Sequence, residues 1–226
     1  MSISDAILSA RVLGIVMNFP LYDGKVSVKA RQLIADGRLD EALAEYRRLA
    51  DLGSGMAKCV LAYLNLRGLP RVPRDLEAAK NLASAALRSE PGYANYILAY
   101  VAQFEKNTAK SIDLMLQSYR ARFIPAASAL GLICGQGYGV ARDPKKAEIF
   151  FWRAIRSGHI PAPYLLCRLY IRGDCGVVKR ILAILAIPVV IAYVAICSRF
   201  LIFSIYNFRH FNVTVPPMFN ERALRA

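Results

Sequence analysis

Apolar residues recur along this chain at spacings of three and four, and short polar or glycine-bearing turns interrupt them at regular distances. Four stretches show the pattern most clearly: LDEALAEYRRLADLG, LEAAKNLASAALRSE, AKSIDLMLQSYRARF and PKKAEIFFWRAIRSG. Each carries one apolar stripe, which predicts a helix with one buried face. Aligned on Ala42, Ala79, Ser111 and Ala147, the stretches repeat. Fifteen positions after each of these residues stands another small one: Ala57, Ala94, Ala126 and Ala162. Leu61, Leu98, Leu130 and Leu166 follow four positions later, then Ala62, Ala99, Gly131 and Cys167. This second series predicts a shorter helix that begins at the aligned alanine. A period of this length is the mark of stacked helix pairs, because neither helix of a pair can bury its stripe alone.

The connections support the pairing. Gly68, Gly137 and Gly173 stand eleven positions after the aligned alanine, while the unit at 94–122 lacks that glycine and is shorter. GQGYGVARDPKKA at 135–147 is glycine-rich but matches neither GxGxxG nor GxxxxGK[ST], and an Ala- and Leu-rich helical segment precedes it, so a phosphate loop is not supported. It predicts a tight reversal: Gly137 and Gly139 at positive φ, Asp143 as N-cap and Pro144 at the first helical position. RVPRDLEAAK at 71–80 repeats the arrangement with Asp75 as cap, and Gly53 and Gly158 suit helix C-caps.

Residues 181–208, ILAILAIPVVIAYVAICSRFLIFSIYNF, carry a single charge, Arg199. About 20 apolar residues cross a bilayer, so a transmembrane helix is predicted. Pro188 would kink it, and Lys179, Arg180, Tyr206 and Phe208 suit its two interfaces. A membrane-surface or hairpin arrangement, or a soluble cap for the helical array, are the alternatives. The division expected is an amphipathic capping segment at 1–25, helix-pair repeats at 26–176, the membrane segment at 177–208 and a polar tail at 209–226. Residues 6–19 are short, interrupted by Arg11 and lack a small-residue cleavage site, which argues against a signal peptide. The repeats are therefore expected to face the cytoplasm from a single-pass protein of the inner membrane.

Net charge is +14, with +9 from residues 1–176 and +5 from 177–226. The longest cationic runs are pairs, scattered through helical segments, which fits solvated faces beside a membrane better than a nucleic-acid footprint. Five cysteines (Cys59, Cys134, Cys167, Cys175 and Cys197) form no CxxC, and His159 and His210 have no partners at metal spacing. Paired carboxylates and Ser/His/Asp sets are likewise not evident. No catalytic residue, cofactor, metal or small-molecule substrate is expected, and no nucleic acid.

The motif at 126–158 resembles the Sel-one-like repeat, a relative of the tetratricopeptide repeat. Ala126, Leu130, Gly131, Gly137, Gly139, Val140, Asp143, Lys146, Ala147, Phe150, Phe151, Arg153, Ala154 and Gly158 match its pattern, while Cys134 replaces its tyrosine. Ala162, Leu166, Tyr170 and Gly173 begin another copy; the units at 57–90 and 94–122 match more loosely, and 26–53 is similar to a generic tetratricopeptide pair. The resemblance implies an all-α, right-handed solenoid of antiparallel helix pairs. It also implies a non-enzymatic adaptor that grips partner proteins, in bacteria often at the cell envelope and in exopolysaccharide production. In such arrays the first helix of each pair lines the concave face, so Asn65, Arg67, Tyr96, Tyr100, Gln103, Gln136, Arg168 and Arg172 are the candidate partner-binding residues. Packing of the tyrosines between units is the competing expectation. Arg199 joins the set, because an arginine inside a membrane run is either a contact or a snorkelling side chain. A protein partner in a membrane complex and the lipid bilayer are the partners implied. The alternative is a basic protein that binds nucleic acid or anionic lipid at the membrane surface.

Overall fold

The computed structural model describes Lys29, Ala30, Leu33, Asp36 and residues 38–68 and 73–200. The expected N-terminal cap, the end of the apolar run at 201–208 and the tail lie outside the described residues.

The described residues form an all-helical solenoid of antiparallel pairs, followed by one long apolar helix. The elements are α1 (Leu39–Asp51), α2 (Gly55–Arg67), α3 (Leu76–Ala86), α4 (Pro91–Phe104), α5 (Thr108–Arg120), α6 (Ile124–Gln136), α7 (Pro144–Arg156), α8 (Ala162–Ile171) and α9 (Val177–Phe200). Successive helices pack on one another along the array, and α2·α4 and α6·α8 pack as next-but-one neighbours. Thus α2, α4, α6 and α8 form one layer, and α1, α3, α5 and α7 the other.

Small residues at the repeat register set the spacing. Ala42, Ala79 and Ala147 in the second layer, with Ala94, Ala126 and Ala162 in the first, are fully buried. Gly131 is the extreme case: a Cβ there would lie 2.7 Å from the Phe151 ring, so only glycine lets that ring rest on α6. Three of the inner helices begin two or three residues ahead of the aligned alanine, because Ser54, Pro91 and Pro125 supply starts the repeat pattern does not mark.

The two glycine-bearing loops are the same turn. Asp75 donates its backbone N–H to Asn65 O (3.0 Å), and Asp143 donates to Cys134 O (2.8 Å), ten and nine positions back. Gly68, Gly137 and Gly139 take positive φ. Asp75 and Asp143 cap α3 and α7 by accepting from Ala78 N and Lys146 N, and Pro144 opens α7. The divergent unit replaces this loop with a shorter turn, in which Asn107 donates its backbone N–H to Ala102 O (2.8 Å). Lys106 and Arg122 both adopt φ 60°, and Arg122 makes the Tyr119 O bond that Gly53 and Gly158 make in their own turns. A left-handed L-residue costs about 1 kcal/mol, which the packed array absorbs at two places.

The apolar helix is not a separate appendage. Ala183 stands 36 positions after Ala147, the spacing that separates Ala126 from Ala162, and it is 3% exposed. The first turns of α9 pack on α8 as α7 packs on α6. α9 therefore begins as the outer helix of the last pair and then runs on past Pro188 to Phe200.

Candidate functional site

Three of the candidate residues meet in one place. Gln136 ends α6, while Arg168 lies in the last turn of α8 and Arg172 is its C-cap, four positions on. They line a shallow, open concavity together with Phe151, Leu165 and Leu169. The repeat explains the convergence. Gln136 and Arg172 occupy the same register as Arg67, at the end of the inner helix, and Arg168 lies on the same face one turn earlier. Gly131 and Gly135 leave the wall of the concavity low. Arg168 is half-buried with its guanidinium 5.9 Å from the Tyr164 ring, and Arg172 is exposed. Two guanidiniums and an amide among apolar side chains can bind a carboxylate and hold the apolar side chain beside it.

The other candidates are placed differently. Tyr96 and Tyr100 are 8% and 2% exposed, and their hydroxyls share a hydrogen bond of 3.1 Å with the rings edge to face. Tyr96 also meets Phe123 at 5.0 Å. Burial pushes both phenols well above their usual range, so they stay neutral. Gln103 is buried as well. These three side chains are buried in the array and do not line the concavity. Tyr100 shares the register of Arg168, but it lies in the buried cluster with Tyr96, Phe123 and Ile133, whereas Arg168 lines the concavity. Asn65 and Arg67 are half-buried at the end of α2 and do not line the concavity; Arg67 lies near the Tyr63, Tyr96 and Tyr100 phenols. Arg199 lies on α9, and its side chain is outside the described set.

Two polar clusters escaped the sequence. Glu148 of α7 accepts from Tyr170 Oη (2.6 Å) and from Lys179 Nζ (2.6 and 2.8 Å), which ties α7, α8 and the first turn of α9 together. Burial raises the Glu148 carboxyl, but the bonds from Lys179 and Tyr170 leave it below its usual range. Arg142 likewise bridges the glycine loop to Asp174 and donates to Gly135 O (3.1 Å). His159, assigned no partner from sequence, shares a 2.7 Å hydrogen bond with Ser128 on α6, and burial lowers its pKa to about 4. The Glu148–Lys179, Arg142–Asp174 and Ser128–His159 pairs join residues 31 or 32 positions apart, and no local spacing reveals them. Among the described residues no group of His, Cys, Asp or Glu could hold a metal, and Cys59, Cys134, Cys167 and Cys175 are free thiols.

No protein-family model matches the chain. No curated protein matches it either. Among solved structures, the chain is similar to a Sel1 repeat protein from Oxalobacter formigenes at 22% identity and TM-score 0.50, over 69% of this chain and 45% of that one. It is also similar to a protective antigen of uropathogenic Escherichia coli displaying the SLR fold, at 24% identity and TM-score 0.49, over 70% of this chain and 34% of that one. The chain thus spans less than half of either. The likeness is one of fold, and it agrees with the repeat seen in the sequence.

Proposed function

We propose that this chain is a membrane-anchored helical-repeat adaptor. It binds an acidic segment of a partner protein in the concavity between α6 and α8, and so scaffolds or regulates a membrane-associated complex. The observation that carries the reading is the convergence of Gln136, Arg168 and Arg172 beside Phe151, Leu165 and Leu169. Surface arginines beside buried apolar side chains are what binding hot spots are made of. α9 supplies the anchor, since it is one helix long and apolar enough to cross a membrane. The inner membrane, with the repeats on its cytoplasmic side, is the location proposed. Assembly of envelope or exopolysaccharide is the setting, and that rests on the repeat resemblance alone. Arg199, carried within the apolar run, is the second candidate contact with the partner.

The test is a mild-detergent capture of the tagged full chain from its native membranes, with the bound proteins identified by mass. The double change Arg168→Ala and Arg172→Ala should release the partner that the unaltered chain holds, weakening binding by about tenfold or more. A parallel change at exposed Arg88, which is remote from the concavity, should leave the partner bound. Partner retention by the double variant would place recognition elsewhere.

A further inference from the structure

The outer face of α7 departs from the rest of its layer. Ile149 is 51% exposed and Trp152 43% exposed, and they form one stripe with exposed Lys145 and Arg156 at helical spacing. The register gives the comparison. Positions equivalent to Ile149 are Ala44, Asn81 and Asp113, and those equivalent to Trp152 are Arg47, Ser84 and Leu116. Only Leu116 among these is a large apolar residue, and it is half-buried. Nothing in the repeat demands apolar side chains there.

What sets α7 apart is its neighbour. α9 holds the next outer position, and its first turns expose Val178, Ile181, Leu182 and Leu185 at 53% or more. Leu185 stands in the register of Ile149, so the apolar field of α7 continues onto α9. The Glu148–Lys179 ion pair fixes the two helices at that level. The indole of Trp152 lies beside the Glu148 carboxylate and the Tyr170 phenol, while the ring as a whole stays exposed. Lys146 and Arg153 stand exposed beside the stripe, and Lys179 and Arg180 flank the start of α9.

Tryptophan and isoleucine rimmed by lysine and arginine, next to a helix suited to a bilayer, have the composition of a membrane-interface surface. We infer that the outer face of α7 and the first turns of α9 together seat the last repeat on an anionic bilayer, with Ile149 and Trp152 at the boundary of headgroups and acyl chains. The inference rests on the proposal that α9 enters the membrane. It adds that the solenoid lies against the membrane rather than projecting from a free stalk, and this directs which face stays open for a partner.

Trp152 is the only tryptophan of the chain, so its emission reports the site directly. The full chain would be reconstituted into vesicles of phosphatidylcholine and phosphatidylglycerol, with and without lipids brominated just below the headgroup. Trp152 should lose most of its emission to the brominated lipid and resist acrylamide. Ile149→Ser, which places a small polar residue where other units tolerate Ala44 or Asn81, should reduce the quenching while the helical content is kept. So should the pair Lys145→Glu and Arg156→Glu. If the chain floats with the vesicles but Trp152 ignores the brominated lipid and is open to acrylamide, the seating is overturned and the anchor stands. A surface meant for a protein partner would give that same result in lipid alone. If the chain does not float with the vesicles, the membrane reading fails and this inference falls with it.

Discussion

At the residue scale, register decides which side chains can carry function, but neighbours decide which do. Tyr63, Tyr100, Leu132 and Arg168 occupy one repeat position; Tyr100 is buried, and Arg168 rims the concavity. His159 shows the opposite: a residue that looks incidental in the chain is locked against Ser128 and kept neutral by burial. Its pKa falls from 6.5 to about 4 on folding, so between those values the unfolded chain binds a proton that the folded chain refuses. Stability is therefore unaffected by this group above about pH 7 and declines as pH falls. The loss between pH 7 and pH 5 should be about 2 kcal/mol. His159→Gln has no proton to gain and should flatten this part of the profile. Urea unfolding of both chains at the two pH values measures it; equal slopes would mean that the imidazole is not buried in solution.

At the element scale, helix pairs, caps and turns were legible because their causes are local. Asp75, Asp143 and Pro144 mark helix starts by side-chain chemistry, and Gly137 marks a positive φ by lacking a Cβ. Lys106 and Arg122 hid two turns of the same kind, since neither residue signals left-handed backbone. The double identity of α9 was equally hidden. Its hydropathy predicts a membrane helix, and that signal masked Ala183, which continues the repeat. Of the candidate site, the register pointed to Gln136, Arg168 and Arg172, but the burial of Tyr96 and Tyr100 depends on contacts between units that a single chain pattern does not contain. The tie between α7 and α9 rests on Glu148, which accepts three charge-assisted or phenolic hydrogen bonds. Glu148→Ala should free the first turn of α9 at a cost of about 1–2 kcal/mol, given that Lys179 is partly solvated. Amide exchange from Lys179 to Ala183 should speed up by roughly tenfold, with α1 to α4 unchanged. Exchange that rises uniformly along the array would instead mean global destabilisation.

At the scale of the whole molecule, a stacked array is stabilised by nearest-neighbour interfaces, so each end needs a cover. α9 provides it at one end: it packs on α8 around buried Ala183, while Val189, Tyr193 and Ile196 of its later turns are exposed. On the proposed reading, anchor and terminal repeat are one helix, and a binding event at the membrane acts on the concavity beside α8 without an intervening linker. This coupling predicts an asymmetry between two truncations. A chain ending at Gly176 uncovers on the order of 100 Å² of apolar surface on α8, worth about 2–3 kcal/mol. It should lose exchange protection in α7 and α8 and lose the concavity with it. A chain ending at Val190 keeps the turns around Ala183 and should retain both, although the apolar run is cut short. Exchange mass spectrometry on the two chains in detergent distinguishes the cases. If the shorter chain is protected as fully as the longer one, α9 serves only as an anchor and the last repeat is complete without it. If only the longer chain is protected, recruitment by the repeats has to be tested in chains that carry these turns, because removing them removes the groove as well as the membrane attachment.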